Sequence, residues 1–207
     1  MTLNYKRIKQ IAKGVVSNAS SKIVNTISKT PYPLAFSTWD DKEIEAIQSV
    51  IKTDMYTMGK HVKQFEQEFA EKFGSPHAVM VNSGSSANLL MLSLLKWKYK
   101  LKGDIIVPVV GWATTYFPVA QNGFRLNFVD VDPNTWNIDE NKIRDAITPE
   151  TCAIMPVNLL GNSCNFAAIK KICEEHDLKL IEDNCESMGA KYQGKHTGTI
   201  GLAGSFS

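Results

Sequence analysis

Two short segments hold the residues best able to do chemistry, 81–88 (VNSGSSAN) and 181–187 (IEDNCES). Each stands where an apolar stretch runs out into polar residues. In the first, Ser83, Gly84, Ser85 and Ser86 open a helix directly after an apolar strand. Gly84 permits close backbone approach. The unpaired amides and dipole of a helix N-terminus attract phosphate, and the serine hydroxyls add donors. The same residues also read as a serine N-cap with no ligand. In the second segment Asp183 ends an apolar strand. A carboxylate there can bind a metal, a ribose hydroxyl or a protonated pyridine nitrogen; it can also be a helix cap or a surface ion pair. Glu186 can sit near the same ring. Trp112 follows Gly111 at another strand end, where an indole can stack on a flat cofactor or simply fill a core or interface. A phosphate site and a ring-nitrogen site together suggest pyridoxal phosphate, which carries both groups. Asp183 beside the ring nitrogen keeps such a cofactor an electron sink. The third part of such a site, a lysine on a following strand, is not among the 207 residues. The chain therefore reads as an enzyme fragment that stops before its catalytic residue.

These segments must be held by a scaffold, and the hydrophobic pattern predicts one. Residues 40–53 form a helix capped by Asp40, with Ile44, Ile47, Val50 and Ile51 at helical spacing. A turn at 58–60 leads to a second amphipathic helix over 61–73, on Val62, Phe65, Phe69 and Phe73, closed by Gly74. Strands then alternate with helices: strands over 78–81, 104–110, 126–131, 151–158 and 178–182, and helices over 86–99, 114–122, 139–146 and 165–176. Residues 192–196 read as a hairpin tip around Gly194. This alternation indicates an α/β domain with a mostly parallel central sheet and flanking helices. In such sheets ligands bind beyond the carboxyl ends of the strands. Residues 83–85, Gly111 with Trp112, Asn158 and Asp183 all follow predicted strands, so the order alone places them on one rim.

Composition narrows the function classes. Hydrophobic residues make up 43% and charged residues 21%, enough for a sizeable core. The formal net charge of +2 hides an asymmetry. Residues 1–39 carry six basic side chains and no acid, leaving 17 basic against 21 acidic residues in the remainder. The body is mildly acidic, which argues against a nucleic-acid surface. Residues 1–30 read as a basic extension, a solvated amphipathic helix rather than a transit peptide. Pro31 and Pro33 separate it from a domain over 31–207. No apolar run reaches the roughly 18 residues of a membrane span. Cys152, Cys164, Cys173 and Cys185 lack C-x-x-C spacing and read as reduced thiols of a cytoplasmic protein. The four histidines lack metal-ligand spacing, so no metal site is predicted.

Two near-motifs fail. Residues 189–196 (GAKYQGKH) imitate a P-loop, but His196 stands where Ser or Thr would bind magnesium. Gly198, Gly201 and Gly204 are evenly spaced but do not form G-x-G-x-x-G. No nucleophile elbow or triad is recognisable.

Taken in order, these residues resemble the DegT/DnrJ/StrS sugar aminotransferase family of fold type I pyridoxal phosphate enzymes. The likeness runs from about Tyr32 to Ser207. It rests on residues 32–35 (YPLA) with 37–40 (STWD), 55–60 (MYTMGK), 80–90 (MVNSGSSANLL), 112–118 (WATTYFP), 157–162 (VNLLGN) and 182–190 (EDNCESMGA). The resemblance implies the aspartate aminotransferase fold, with 31–207 as the first part of its large domain and the small C-terminal domain absent. It implies that Gly84 and Ser85 form the phosphate-binding turn and that Trp112 stacks on the ring. It pairs Asp183 with the ring nitrogen, makes Glu186 a further cofactor contact and lets Ser207 reach the phosphate. No catalytic residue lies in this chain; the family spacing puts it at position 212.

Most members carry Ala-Gln or Ala-His after the aspartate, whereas this chain has Asn184, Cys185 and Glu186. That variant resembles the family's 3-dehydratase branch, where histidine replaces the catalytic lysine. A histidine cannot tether the cofactor covalently but can act as a base. The implied cofactor is pyridoxal or pyridoxamine 5'-phosphate. The implied substrate is a nucleotide-linked 4-keto-6-deoxyhexose, GDP-4-keto-6-deoxy-D-mannose-like, with glutamate as amino donor. Full-length relatives are homodimers that share their sites, so the chain alone is expected to be inactive. The alternatives are a transaminase on the same substrate class and an inactive binding scaffold.

Overall fold

The computed structural model describes residues 37–207. The basic extension at 1–30 and the prolines after it lie outside the described residues. Two compact units divide between Thr57 and Met58.

In the first unit, helix α1 (Asp41–Thr53) starts in a capping box: Lys42 N donates to Asp40 Oδ1 at 2.7 Å and Asp40 N donates to Glu43 Oε2 at 2.7 Å. None of its residues is buried.

The second unit carries the sheet. It opens with α2 (Lys60–Phe73), ended by Gly74 at φ 68°. Its aromatic face packs on the other end of the unit, with Phe69 and Phe73 ring centres 5.1 and 5.3 Å from Phe206. Then follow α3 (Gly84–Trp97), β1 (Asp104–Pro108), α4 (Ala113–Gln121), β2 (Arg125–Val129), α5 (Glu140–Ala146), β3 (Thr151–Ile154), α6 (Phe166–Glu175), β4 (Lys179–Leu180) and β5 (Glu182–Asp183). Lys191–Tyr192 (β6) and Lys195–His196 (β7) pair antiparallel around Gln193 and Gly194, both at positive φ, the hairpin turn expected. Gly204–Ser205 (β8) closes the series.

Four strands make a parallel sheet in the order β2-β1-β3-β4. β5 follows β4 after Ile181 alone and pairs in parallel with β8, Asp183 opposite Ser205. The α/β alternation thus holds. Side chains alternate across each strand, so the continuous apolar runs divide between two layers. Ile106, Ile154 and Leu180 pack with Phe166, Ile169 and Ile172. Ile105, Val107, Met155 and Ile181 pack with Met91, Leu92, Leu95 and Val119. The same alternation continues into β5 and separates Glu182 from Asp183. Asp183 falls on the face of α3 and α4.

Three predicted elements are corrected. Residues 78–81 join no ladder: Met80 N donates to Glu66 Oε1 at 2.8 Å, and Val79 and Met80 are exposed. Four apolar residues make a strand only against a partner edge, and none of the described strands lies beside them. β3 ends at Ile154 rather than at 158, because Pro156 has no N–H for the ladder. β1 ends at Pro108 rather than at 110, although Val109 N still reaches Val129 O.

Glu182 is fully buried and ties the sheet to the chain that follows. Its Oε1 accepts from Ile200 N at 2.6 Å and Gly201 N at 2.7 Å, and its Oε2 from Gly198 N at 2.6 Å and Asn158 Nδ2 at 3.4 Å. Burial pushes its carboxyl above the ordinary value, and these donors pull it back. The evenly spaced glycines belong to this wrap. Gly198 holds φ 81°, and a methyl on Gly201 would lie 2.6 Å from Leu180 O. Replacing Glu182 with Gln puts an N–H₂ group against an amide donor. E182Q should therefore lower stability by about 1–3 kcal/mol; a denaturation midpoint equal to that of the parent would contradict this.

Candidate active site

The pocket starts at the N-terminus of α3. Ser83 is its cap, with Oγ accepting from Ser86 N at 3.2 Å. The amides of Gly84 and Ser85, first in the helix, have no intrahelical acceptor. Gly84 is pressed against two other segments: a methyl built on it would lie 2.5 Å from Cys185 Sγ and 2.9 Å from Ser207 Cβ. Only glycine leaves the helix end open there.

Opposite stands Asp183, 4% exposed. Its Oδ2 accepts from Thr115 Oγ1 at 2.7 Å and from Asn88 Nδ2 at 2.9 Å. Its Oδ1 accepts from Cys185 N at 3.2 Å and Ser205 Oγ at 3.3 Å. All four donors are neutral, and among the described residues no ion pair includes Asp183. A buried carboxylate without a counter-charge is costly, and the deficit is one positive group.

The pocket between these elements measures about 160 Å³. All six predicted residues line it: Gly84, Ser85, Trp112, Asp183, Glu186 and Ser207. Trp112, the N-cap residue of α4, is 71% exposed, so its indole face is open to a ligand. Glu186 Oε2 accepts from Leu160 N at 3.2 Å, holding the short 3₁₀ turn Leu159–Gly161. Asn158, expected on the rim, is instead fully buried behind it. It donates to Asn184 Oδ1 at 3.1 Å and accepts from Cys164 N at 3.1 Å. Val157 bridges Asp183 in parallel and Asn158 N donates to Asp183 O at 3.0 Å, so the chain still pairs with β5 here and Asn158 stays inside.

Cys185, noted in the sequence only as part of the Asn184-Cys185-Glu186 variant, also lines the pocket, as do Asn88, Thr114, Thr115 and Val157, which were given no role from the sequence. Asn88 left a signal: it is the one amide among the buried positions of α3, beside Met91, Leu92 and Leu95. Among the described residues no cluster of three or more His, Cys, Asp or Glu side chains could hold a metal.

A family profile, the DegT/DnrJ/EryC1/StrS aminotransferase family, matches residues 37–207. The chain belongs to this family. It is 56% identical over 180 residues to GDP-4-keto-6-deoxy-D-mannose 3-dehydratase of Yersinia pseudotuberculosis, covering 85% of this chain and 46% of that protein. A dTDP-3-amino-3,6-dideoxy-alpha-D-galactopyranose transaminase of Aneurinibacillus thermoaerophilus is 36% identical over 80% of this chain and 46% of its own length. Among solved structures, an Escherichia coli GDP-4-keto-6-deoxy-D-mannose-3-dehydratase with bound hydrated PLP superposes with a TM-score of 0.82. It is 55% identical over 85% of this chain and 46% of that one. The chain thus spans about half the length of the curated relatives it matches. These likenesses agree with the parallel-sheet fold of this family of pyridoxal phosphate enzymes.

The Cys185 thiol in the pocket, and the Cys152 and Cys173 thiols elsewhere in the fold, are held neutral. Burial, then the Asp183 charge, pushes Cys185 up to about 12; burial pushes Cys152 to about 11 and Cys173 to about 12. A thiol at 12 is about 10⁻⁴ thiolate at pH 8. Iodoacetamide at pH 8 should therefore label the native chain at least about 100-fold more slowly than the unfolded chain. The rate should rise toward pH 10 with Cys152 reacting first, as mass spectrometry of the labelled peptides would read.

Proposed function

We propose that this chain supplies the cofactor-binding part of a pyridoxal or pyridoxamine 5'-phosphate enzyme. The enzyme removes the C3 hydroxyl of a nucleotide-linked 4-keto-6-deoxyhexose, GDP-4-keto-6-deoxy-D-mannose-like. The observation that carries this reading is the buried Asp183 carboxylate, lacking a cation and sharing one pocket with the open end of α3. A ligand with a cationic ring N–H at one end and a phosphate at the other answers both features. The likeness to 3-dehydratases supports that branch.

In this reading Asp183 holds the ring proton in place. The Gly84 and Ser85 amides, with the hydroxyls of Ser85 and Ser207, bind the phosphate. Trp112 covers one ring face and excludes water from it. Glu186, fixed through Leu160, borders the same ring. Bound there, the cofactor supplies the electron sink for the reaction. The residue that moves protons stands at position 212, outside this chain. Over the whole reaction glutamate is oxidised to 2-oxoglutarate and supplies the two electrons and the nitrogen; the C3 hydroxyl leaves as water, one water is taken up as the nitrogen leaves as ammonia, and the sugar is reduced to the 3-deoxy form. The working enzyme is a cytoplasmic homodimer. A second reading, transamination of the same substrate class, is favoured by the 36% identity to a sugar transaminase.

Asp183→Asn should weaken cofactor binding about 10- to 100-fold in an absorbance titration of the intact protein, since a hydrogen bond to a charged group is worth about 1.5–3 kcal/mol. Binding as tight as in the parent would sink the assignment. Histidine at position 212, with ammonia and a 3-deoxy sugar as products, supports the dehydratase. Lysine there, with an amino sugar as product, supports the transaminase.

A further inference from the structure

The pocket has an inner layer whose work is distinct from contact with a ligand. Asn88 and Thr115 come from two helices and meet at one oxygen of Asp183, at 2.9 and 2.7 Å. Each is 1% exposed. The Asn88 amide is pinned in one orientation, because its Nδ2 also donates to Thr114 O at 3.2 Å. Its Oδ1 is buried with no partner, so the side chain gives up one hydrogen bond to keep its donor on Asp183. Thr115 donates its hydroxyl to Asp183 although a threonine in a helix readily bonds its own backbone. Ser205, 1% exposed on β8, adds a longer bond to the other oxygen.

Resting on the cofactor reading above, we propose that Asn88 and Thr115 are positioning residues that fix the Asp183 carboxylate as an oriented acceptor for the ring N–H. Three neutral donors from α3, α4 and β8 stabilise charge on the carboxylate without a competing cation. A lysine or arginine in their place would satisfy Asp183 and remove its attraction for the ring. Hydrogen bonds to the charged form favour that form. Losing one donor therefore weakens the carboxylate as the oriented acceptor of the ring N–H.

The other ionisable groups facing Asp183 do not supply the missing charge. Tyr116 on α4 is raised by burial and then by the Asp183 charge, so it stays neutral. Cys185, beside Asp183, is pushed up to about 12. Glu186 lines the same pocket and is acidic. Glu182 is spent on the amides of Gly198, Ile200 and Gly201. No titratable side chain of α3 or β8 hydrogen-bonds to Asp183.

The test compares Thr115→Val, which keeps the shape and removes the hydroxyl, with Thr115→Ser, which keeps the hydroxyl. Pyridoxal phosphate affinity of the intact protein is measured from pH 5 to 9, with thermal denaturation of each apoprotein as a control. T115V should bind about tenfold more weakly at pH 7, and the acidic limb of its binding curve should move up by about one pH unit, since one unit is 1.36 kcal/mol. T115S should retain the parent's limb. Asn88→Asp, isosteric but with an acceptor in place of the donor, should move the limb further in the same direction. A T115V limb that coincides with the parent's would overturn the positioning role, whatever its affinity; so would a T115S limb displaced as far as that of T115V. A parent protein that binds no pyridoxal phosphate would overturn the cofactor reading and this proposal with it.

Discussion

Two adjacent carboxylates, Glu182 and Asp183, are both buried at the end of one strand, and the site depends on how each is satisfied. Strand alternation turns them to opposite faces. Glu182 takes three backbone amides from the turn at 198–201 and so fastens the last stretch of chain to the sheet. That fastening sets β8 beside β5, which brings Ser205 to Asp183. It also leads the chain past Phe206, packed on α2, to Ser207 at Gly84. Asp183 in turn gathers α3 and α4 through Asn88 and Thr115. One carboxylate organises the scaffold and the other gathers the pocket.

What the sequence made legible follows from how local each cause is. Gly84, Asp183 and Trp112 are marked by position, at a turn or just past an apolar strand, and position survives folding. The caps of α1 and α5 and the hairpin at Gln193 and Gly194 are equally local and fall where composition put them. Residues 78–81 show the limit. Their apolarity says that they can be a strand, but strand formation needs a neighbouring edge, which no local pattern encodes. Asn158 failed for a related reason, since the chain around it pairs with β5, a partner far away in sequence.

The residues that were missed share one property: their meaning lies in partners far away in sequence. Asn88 sits in an apolar helix and Thr115 in a short one, and both bond a residue on another element. Glu182 reads as the acidic neighbour of a functional aspartate until the amides that receive it are known. The glycines at 198, 201 and 204 form no dinucleotide fingerprint in the sequence. Their spacing serves backbone crossing over β4 and β5, with Gly201 against the Leu180 carbonyl.

The long reach of those contacts has a kinetic consequence. Asn88 and Asp183 are 95 residues apart, and Thr115 and Asp183 are 68 apart. Contacts of such separation form only after the intervening loops have closed, and that closure is slow. Helices α3 and α4 can assemble early, yet the pocket does not exist until β5 has docked and the chain has returned through β8. A small molecule that requires all of these segments recognises only the completed topology. It stabilises the native state alone, by mass action, and does nothing to speed the steps that lead there. Ligand capture during refolding would therefore time the closing of the sheet rather than the formation of any helix.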